Sequence, residues 1–352
     1  MITGKRVVVT GGTGSLGKVL IRRLLSGEVG KPGKIIVFSR DEAKQHAMRL
    51  AYQHRRTATD DVIYRNFEQF LQFHIGDIRD YNSVNRVLRE CDVLFNAAAL
   101  KQVPTCEYFP FEAVQTNVWG AENIVRAIRE NQLPVESVVG ISTDKACKPV
   151  NVMGMTKAIQ ERIFVRANLD CPRTRFICVR YGNVLASRGS VIPLFHEQIR
   201  SGGPVTITTP DMTRFLLSLD QAVDTIFTAL KQANRGETYI PRVPSAQMLE
   251  LARVLIGDRP IETMVVGIRP GEKVHEILVS EEEAHRTLKR GSYYVILPVL
   301  PEIQPSVDKT STLGKEFNSA DCIMTKAELA ALLEERELFV ENTTVFGEDI
   351  PT

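Results

Sequence analysis

A glycine-rich loop near the N-terminus constrains the fold of this chain more than any other feature. The stretch VVVTGGTGSLGKVLIRRLL places Gly11, Gly14 and Gly17 in a G-x-x-G-x-x-G spacing, between a β-branched run and an amphipathic helical pattern. Glycine lets the backbone turn tightly and approach a pyrophosphate, whose charge a helix N-terminus stabilises. A purely structural turn is the alternative, but the strand before the loop and the helix after it favour a dinucleotide site.

Short apolar runs alternate with helical patterns through the first half of the chain. Most runs are continuous, which is typical of strands that helices cover on both faces of a parallel sheet. Between two of them, Val114, Val118, Ala121 and Val125 form one helical stripe. Strict alternation of strand and helix predicts an α/β fold with a Rossmann-type, doubly wound parallel sheet. The runs span residues 5–10, 34–39, 70–77, 92–97, 137–142 and 174–181.

The second half of the chain has a looser pattern, rich in Gly, Pro and charge. We expect it to form a smaller C-terminal lobe that closes over the strand ends and binds substrate. The predicted cofactor domain spans 1–182, with about 212–240 returning to it; 183–211 and 241–335 form the lobe, and 336–352 a tail. We also expect an exposed insertion near 56–64 and partial disorder after about 340.

The end of the second apolar run bears on the choice of cofactor. In FSRDEAK, Ser39 and Arg40 come first and Lys44 follows one turn on. An NAD enzyme usually carries an acid here for the ribose hydroxyls, whereas a cation favours the 2′-phosphate of NADP. Asp41 keeps NAD open, since a shift of one residue places a carboxylate at the ribose. After the third run, Asp77 is expected either near the adenine or as a helix cap.

Polar residues leave the carboxyl end of the fifth run, the edge where open α/β sheets bind ligands. Thr143, Asp144 and Lys145 follow this run directly. Met153 and Lys157 lie four residues apart and therefore share a face of the following helix. The alternative is a solvated Asp144–Lys145 loop pair with Met153 in the core. Location at the sheet edge favours chemistry.

Composition excludes several classes of protein. The chain has 352 residues, 43% apolar and 24% charged, with a net charge of +2, which is typical of a globular protein with no nucleic-acid partner. We find no apolar run long enough for a membrane span and no signal sequence, so we expect a cytoplasmic protein. Its six cysteines show no C-x-x-C spacing, so we expect reduced thiols and no metal.

Nine motifs together carry a family resemblance. Across about residues 4–335, the chain resembles extended short-chain dehydrogenases/reductases, and closely the bacterial UDP-N-acetylglucosamine 4,6-dehydratases, including those that invert C5. That family has Tyr or Met at the position of Met153, and this chain is similar to the Met branch. The motifs are TGGTGSLG, FSRDE, GDIRD, AAALKQVPTCE, STDKA, MGMTK, RYGNVLASRGSVIP, DMTRF and IRPGEK.

The resemblance implies a reaction and its acid and base. The sugar is oxidised at C4 with NADP, loses its C5 proton and 6-hydroxyl, and regains hydride at C6, which regenerates the cofactor. Lys145 is then the base and Asp144 the acid, with Thr143 near O4 and Lys157 at the nicotinamide ribose. Because lysine titrates near about 10.4, Lys145 needs desolvation or nearby positive charge. We expect Lys157 and the oxidised nicotinamide to supply that charge.

The resemblance also implies the remaining binding residues and a homo-oligomer. Guanidinium groups suit the diphosphate of a UDP-N-acetylhexosamine, although a surface salt bridge is the alternative for each arginine. The expected cofactor-binding residues are Gly11, Thr13, Gly14, Ser15, Leu16, Gly17, Ser39, Arg40, Lys44, Asp77, Ile78, Ala97, Ala98, Ala99, Asn117, Lys157 and Tyr181. The expected substrate-binding residues are Lys101, Met153, Asn183, Arg188, Arg214, Arg269 and Glu272.

Two alternative functions stay open at this point. A UDP-hexosamine 4-epimerase also begins with oxidation at C4 but needs no C5 base, so the Asp144–Lys145 pair argues against it. A catalytically silent NADP-binding protein is favoured by the absence of a tyrosine at position 153. The retained Lys157 and the acid/base pair argue against silence, because a binding module has no use for them. Whether C5 is inverted is not decided by the sequence.

Overall fold

The structure is a computed structural model that describes residues 1–53, 69–185, 190–305 and 312–342. Its strands are β1 (Arg6–Thr10), β2 (Lys34–Ser39), β3 (Leu71–Ile75), β4 (Val93–Asn96), β5 (Ser137–Ile141), β6 (Arg175–Val179), β7 (Asn183–Val184), β8 (Val205–Ile207), β9 (Thr213–Leu217), β10 (Thr238–Pro241), β11 (Ser245–Gln247), β12 (Thr263–Val265), β13 (Ile277–Val279), β14 (Thr287–Arg290), β15 (Tyr293–Ile296) and β16 (Phe317–Asn318).

Helices connect these strands and cover the sheet. The α-helices are α1 (Ser15–Ser26), α2 (Glu42–Gln53), α3 (Tyr81–Leu88), α4 (Val103–Tyr108), α5 (Pro110–Ala113), α6 (Gly120–Asn131), α7 (Val152–Asp170), α8 (Val191–Arg200), α9 (Leu219–Gln232), α10 (Met248–Ile256), α11 (Glu281–Ala284) and α12 (Lys326–Glu335). A π-helix spans Val114–Trp119, and 3₁₀ turns span Asp144–Ala146 and Pro301–Ile303.

The central sheet has nine strands in the order β14-β15-β10-β6-β5-β4-β1-β2-β3. Strands β1 to β6 and β10 pair in parallel, whereas β15 and β14 are antiparallel. The six predicted strands therefore form one parallel sheet, and the Rossmann-type prediction is confirmed. The strand order reverses between β1 and β4, and such a switch point is where open α/β sheets bind ligands.

Helices bury both faces of this sheet. On one face, Leu20 and Leu24 of α1 pack with Val7 and Val9 of β1 in a single apolar cluster. On the other face, Ile124 of α6 and Phe164 of α7 join a second cluster. Continuous apolar strands are the sequence counterpart of this double burial, because neither side of a strand meets water.

The second half of the described chain builds small sheets and a separate apolar core. The sheets have the orders β11-β9-β7, β12-β8 and β13-β16. Helices α8, α10 and α12 contribute Phe195, Leu255 and Leu329 to one apolar cluster. Strands β14 and β15 nevertheless join the central sheet, although they lie in the range 241–335 that we assign to the lobe. Strand β9, by contrast, pairs within the lobe. The domain division stays a prediction.

The π-helix changes which residues of the 114–131 segment face inward. Ala121 and Val125 are buried as the stripe predicts, but Val114 and Val118 are only half-buried. Thr116 and Asn117 are buried instead. A π turn holds more residues than an α turn, so a stripe drawn at 3.6 residues loses its register here.

Two further points concern regions that the sequence singled out. The expected insertion near 56–64 and residues 343–352 of the expected tail lie outside the described residues. Among the helices that the structure describes, none combines the length and apolarity that crossing a membrane requires.

Candidate active site

The glycine-rich loop lies at the switch point, between β1 and α1. Gly11 has a φ of +64°, and a Cβ there would lie 2.8 Å from the carbonyl oxygen of Ala97. A Cβ on Gly17 would lie 2.5 Å from the Cα of Gly12, so α1 packs closely on the loop. Gly14 precedes α1 and offers no side-chain cap to its first N–H groups. The open N–H groups and the absent Cβ atoms form a cradle that fits a dinucleotide pyrophosphate.

The residues at the end of β2 carry opposite charges. The Ser39 hydroxyl lies 3.1 Å from the Thr13 hydroxyl at the rim of the loop. The ammonium of Lys44 is already paired with the Asp41 carboxylate. Arg40 is looser: its Nη1 lies 3.9 Å from the nearer Asp77 oxygen, and 58% of its side chain is exposed. Arg40 is therefore better placed than Lys44 to meet a phosphate.

Asp77 follows β3 but does not cap the next helix. It accepts hydrogen bonds from the backbone N–H and the Nε of Arg79, both at 2.9 Å. Asp80 caps α3 instead, accepting from the N–H groups of Asn82 and Ser83. The helix-cap alternative for Asp77 is therefore wrong, because the residue directly before the first turn is Asp80. A role for Asp77 near the adenine stays a prediction.

Asn117 fastens the loop after β4 to helix α7. Its Oδ1 accepts from Leu100 N at 2.9 Å, and its Nδ2 donates to Leu100 O at 3.0 Å and to Thr156 Oγ1 at 2.9 Å. These bonds use its amide within the protein, so Asn117 shapes the loop that holds the expected cofactor-binding residues Ala97, Ala98 and Ala99.

Two other expected cofactor-binding residues are buried beside this loop and the β5 edge. Ile78 follows β3 and is 6% exposed; Tyr181 follows β6 and is 7% exposed. The Tyr181 carbonyl accepts from Asp144 N at 3.0 Å.

The predicted acid/base residues form a tight turn after β5. Thr143 caps the 3₁₀ turn, and its hydroxyl donates to Asp144 Oδ1 at 2.8 Å. Lys145 Nζ donates to the same oxygen at 3.0 Å. Asp144 is only 1% exposed. The alternative of a solvated loop pair is therefore wrong, since the carboxylate is enclosed by the protein.

Met153 and Lys157 both face inward from α7. Met153 is 5% exposed and packs in a small apolar cluster with Cys106 and Ala113. Lys157 Nζ donates to Ile141 O at 2.5 Å and to Gln160 Oε1 at 2.7 Å. Burial lowers the pKa of Lys157 to about 8. Its contact with the nicotinamide ribose stays a prediction.

Glu276 is a site residue that the sequence analysis missed. It lies directly before β13 and is 2% exposed, and its Oε1 lies 3.0 Å from Lys145 Nζ. Burial alone would lower the pKa of Lys145, but the Asp144 and Glu276 carboxylates outweigh it and raise the pKa. The charges nearest to Lys145 Nζ are thus two carboxylates, whereas Lys157 Nζ is engaged at the Ile141 carbonyl. The expected contribution of the oxidised nicotinamide stays a prediction. The sequence signal was weak: one acid before a short apolar run.

The pKa values of Asp144 and Glu276 are shifted in opposite directions. Burial raises the pKa of Asp144, against the lowering influence of Lys145. Burial also acts to raise the pKa of Glu276, but Lys145 and Arg214 outweigh it and lower the pKa. Of these two neighbouring carboxyls, Asp144 therefore holds a proton more readily than Glu276 does.

The contacts of Arg214 differ from those expected of a residue that binds a diphosphate. It is 7% exposed, and its Nη atoms donate to three backbone carbonyls, at distances of 2.7 to 3.0 Å. These are the carbonyls of Thr213, Lys273 and Val274. Its guanidinium therefore holds the β9 and 273–274 backbones together, and it faces Glu276 through Nε at 3.7 Å.

The other predicted substrate-binding residues are spread around the cleft. Lys101 and Arg269 are exposed, and Glu272 is half-buried. Asn183 Oδ1 is buried and has no hydrogen-bond partner among the described residues. Asn151 caps α7 and donates from Nδ2 to Gly271 O at 2.7 Å, which docks the 269–273 loop beside the acid/base turn. Arg188 lies outside the described residues, and the substrate contacts stay predictions.

Comparison with known proteins identifies the family to which this chain is similar. The family described as "Polysaccharide biosynthesis protein" matches residues 7–298. A relative from Rickettsia bellii, named UDP-glucose 4-epimerase, is 42% identical over 301 residues, covering 84% of each chain.

Solved structures share the fold. Pen from Bacillus thuringiensis matches with a TM-score of 0.84 and 32% identity, covering 96% of this chain and 100% of Pen. DesIV from Streptomyces venezuelae, a dTDP-glucose 4,6-dehydratase with NAD bound, matches with a TM-score of 0.63 and 22% identity, covering 76% of this chain and 86% of DesIV. The fold similarity thus extends to a protein that binds a nicotinamide cofactor.

Proposed function

This chain belongs to the polysaccharide biosynthesis protein family of nucleotide-sugar dehydratases and epimerases, and we propose that it is a 4,6-dehydratase of UDP-N-acetylglucosamine. One observation carries the proposal. The buried Asp144 carboxylate and the Lys145 ammonium meet at 3.0 Å, at the carboxyl end of β5. A dehydratase needs an acid and a base beside C5 and C6, whereas an epimerase needs neither.

The residues divide the proton chemistry among them. A bound nicotinamide supplies a reversible hydride acceptor, so that a C4 ketone acidifies the C5 hydrogen. Lys145, in its neutral form, accepts the C5 proton. Asp144 holds a proton readily because burial raises its pKa, and it donates that proton to the departing 6-hydroxyl. Thr143, whose hydroxyl contacts Asp144 at 2.8 Å, orients the acid and binds near O4.

Met153 leaves the 4-hydroxyl proton without a tyrosine to receive it. The thioether cannot accept a proton, and Met153 packs with Cys106 and Ala113 in an apolar cluster. We assign the proton route to Thr143 and Asp144, whose oxygens are already hydrogen-bonded to each other. The Asp144 carboxylate accepts the 4-hydroxyl proton through the Thr143 hydroxyl and later donates the same proton to the departing 6-hydroxyl. Met153 then serves as an apolar wall of the sugar site.

NADP is the proposed cofactor. The exposed guanidinium of Arg40, at the end of β2, supports recognition of a 2′-phosphate. The Asp41 carboxylate is paired with the Lys44 ammonium, and this pairing competes with the hydrogen bonds to ribose that would favour NAD. Residues Gly11, Gly14 and Gly17 are proposed to hold the pyrophosphate.

A UDP-hexosamine 4-epimerase is the second candidate, favoured by the name of the Rickettsia bellii relative. Incubation with UDP-N-acetylglucosamine, followed by NMR of the product, separates the two functions. The proposal predicts a 4-keto-6-deoxy sugar, and its C5 configuration reports inversion. A C4 epimer that keeps its 6-hydroxyl would instead establish the epimerase.

A further inference from the structure

The ammonium of Lys145 is held between two carboxylates that come from different parts of the fold. Asp144 Oδ1 belongs to the turn after β5, and Glu276 Oε1 precedes β13 of the lobe. Each lies 3.0 Å from Lys145 Nζ. Because two opposed ion pairs fix the end of a flexible side chain, the location of Nζ depends on Glu276 as much as on Asp144.

Each of the two carboxylates has one oxygen that accepts no hydrogen bond from the described residues. Asp144 Oδ2 and Glu276 Oε2 are buried and have no hydrogen-bond partner among the described residues. A buried carboxylate oxygen without a donor costs about 1–3 kcal/mol, and more when charged. Such a cost at two adjacent residues indicates a site that gains donors or protons when it is in use.

The backbone of Glu276 is anchored firmly. Its N–H donates to Ser319 Oγ at 2.9 Å, and Ser319 N donates back to its carbonyl at 2.8 Å. Ser319 Oγ in turn lies 2.6 Å from Thr213 Oγ1, which also contacts His275 Nδ1 at 2.8 Å. These contacts fix the backbone of Glu276 to β9 and to the residue after β16, so its side chain extends toward Lys145 from an anchored base.

We propose that Glu276 is a positioning residue for Lys145, which fixes Nζ and favours its protonated form in the free site. The inference rests on the proposed function, in which Lys145 is the C5 base. The charged groups that face Lys145 are the carboxylates of Asp144 and Glu276 and the cations of Arg214 and Lys273. Without the Glu276 charge, one acid and two cations remain, and the neutral amine becomes more abundant but less basic.

Two measurements test this role, and one does not depend on turnover. Lysine labelled with ¹³C at Cε gives an NMR signal whose shift titrates with the ammonium, and Lys145→Arg identifies the Lys145 signal by removing it. In Glu276→Gln, the Lys145 midpoint should fall by about one pH unit or more relative to wild type. Glu276→Asp keeps a carboxylate on a shorter side chain and should give an intermediate midpoint. Glu281→Gln removes a carboxylate that is 82% exposed and should leave the midpoint unchanged.

The second measurement is the pH profile of deuterium exchange at C5. The ascending limb on the acid side, where Lys145 loses its proton, should move to lower pH in Glu276→Gln. The plateau should fall, since a weaker base accepts the proton more slowly. An unchanged Lys145 midpoint in Glu276→Gln would overturn the inference, as would a loss of rate without a shift of the limb. If Glu276→Gln does not fold, an unchanged midpoint in Glu276→Asp overturns it. A wild-type enzyme without C5 exchange would instead contradict the proposed function, while the NMR midpoints still decide the role of Glu276.

Discussion

A Cβ atom on Gly154 would lie 2.2 Å from the carbonyl oxygen of Lys145. Glycine at this position therefore lets the first turn of α7 rest directly on the acid/base turn. The MGMTK and STDKA motifs are thus two halves of one packing contact, which explains why their spacing matters to the site.

Gly154→Ala should disturb both stability and catalysis. The added methyl group must push the backbone of Lys145 aside, at a cost of about 1–3 kcal/mol in the free energy of unfolding. A displacement of about 1 Å at Lys145 should lower kcat about 100-fold. Thermal unfolding and kcat provide the measurements, and Met155→Ala, an exposed neighbour on α7, is the control. Wild-type kcat in folded Gly154→Ala would show that the contact does not position Lys145.

Arg40→Ala should weaken NADP binding far more than NAD binding. A charge-assisted contact to the 2′-phosphate is worth about 1–3 kcal/mol, and NAD lacks that phosphate. Lys44→Ala is the matched control, because the Lys44 ammonium is already paired with Asp41 and should contribute less. Calorimetric titration with both cofactors makes the comparison. An equal loss for NADP and NAD in Arg40→Ala would mean that Arg40 does not contact the phosphate.

Lys157 should make the stability of the protein depend on pH in a defined direction. Burial lowers its pKa from 10.5 to about 8, so between these values the unfolded chain binds more protons than the folded one. The wild type should therefore gain stability relative to Lys157→Met as the pH rises through about 8, by about 1–2 kcal/mol at pH ~9.5. Denaturant unfolding at several pH values measures this. A pH-independent difference would mean that Lys157 titrates normally.

Met153 should act through packing alone. Met153→Leu preserves the volume of the side chain and should cost less than about 1.5 kcal/mol in stability, with little change in kcat. Met153→Ala opens a cavity beside Cys106 and Ala113 and should lower kcat about 10- to 100-fold through misplacement. If Met153→Leu lost as much kcat as a Lys145 variant, the thioether would have a specific chemical role.

The placement of the glycine-rich loop between β1 and α1 was predictable because its signals are local. Gly11, Gly14 and Gly17 stand in one loop, and the strand and helix that flank them are adjacent in the chain. The position of Thr143, Asp144 and Lys145 at the carboxyl end of β5 was likewise predictable, and that edge of a parallel sheet is a known place for ligands. Each of these inferences needed only the residues next to the motif.

The environment of Lys145 was not predictable, because it depends on contacts that are not local in the sequence. Glu276 reaches Lys145 from the lobe, through a contact between segments far apart in sequence, so no periodicity or spacing marks it. The π-helix at Val114–Trp119 likewise shifts the helical register, so Val114 and Val118 are only half-buried although a 3.6-residue spacing predicts that they face inward. Backbone carbonyls accept from three of the N–H groups of Arg214, a structural role that the sequence did not indicate.

The rate of deuterium incorporation at C5 tests the central claim most directly. Enzyme loaded with NADP is incubated with UDP-N-acetylglucosamine in deuterated water, and the label at C5 is followed by NMR. We expect wild type and Lys148→Ala, whose lysine is paired with Glu316 outside the acid/base turn, to incorporate deuterium at similar rates. Lys145→Ala should lose about 10²- to 10⁴-fold of that rate, the contribution typical of a general base. Exchange at the original rate in Lys145→Ala would remove Lys145 from the mechanism and contradict the account.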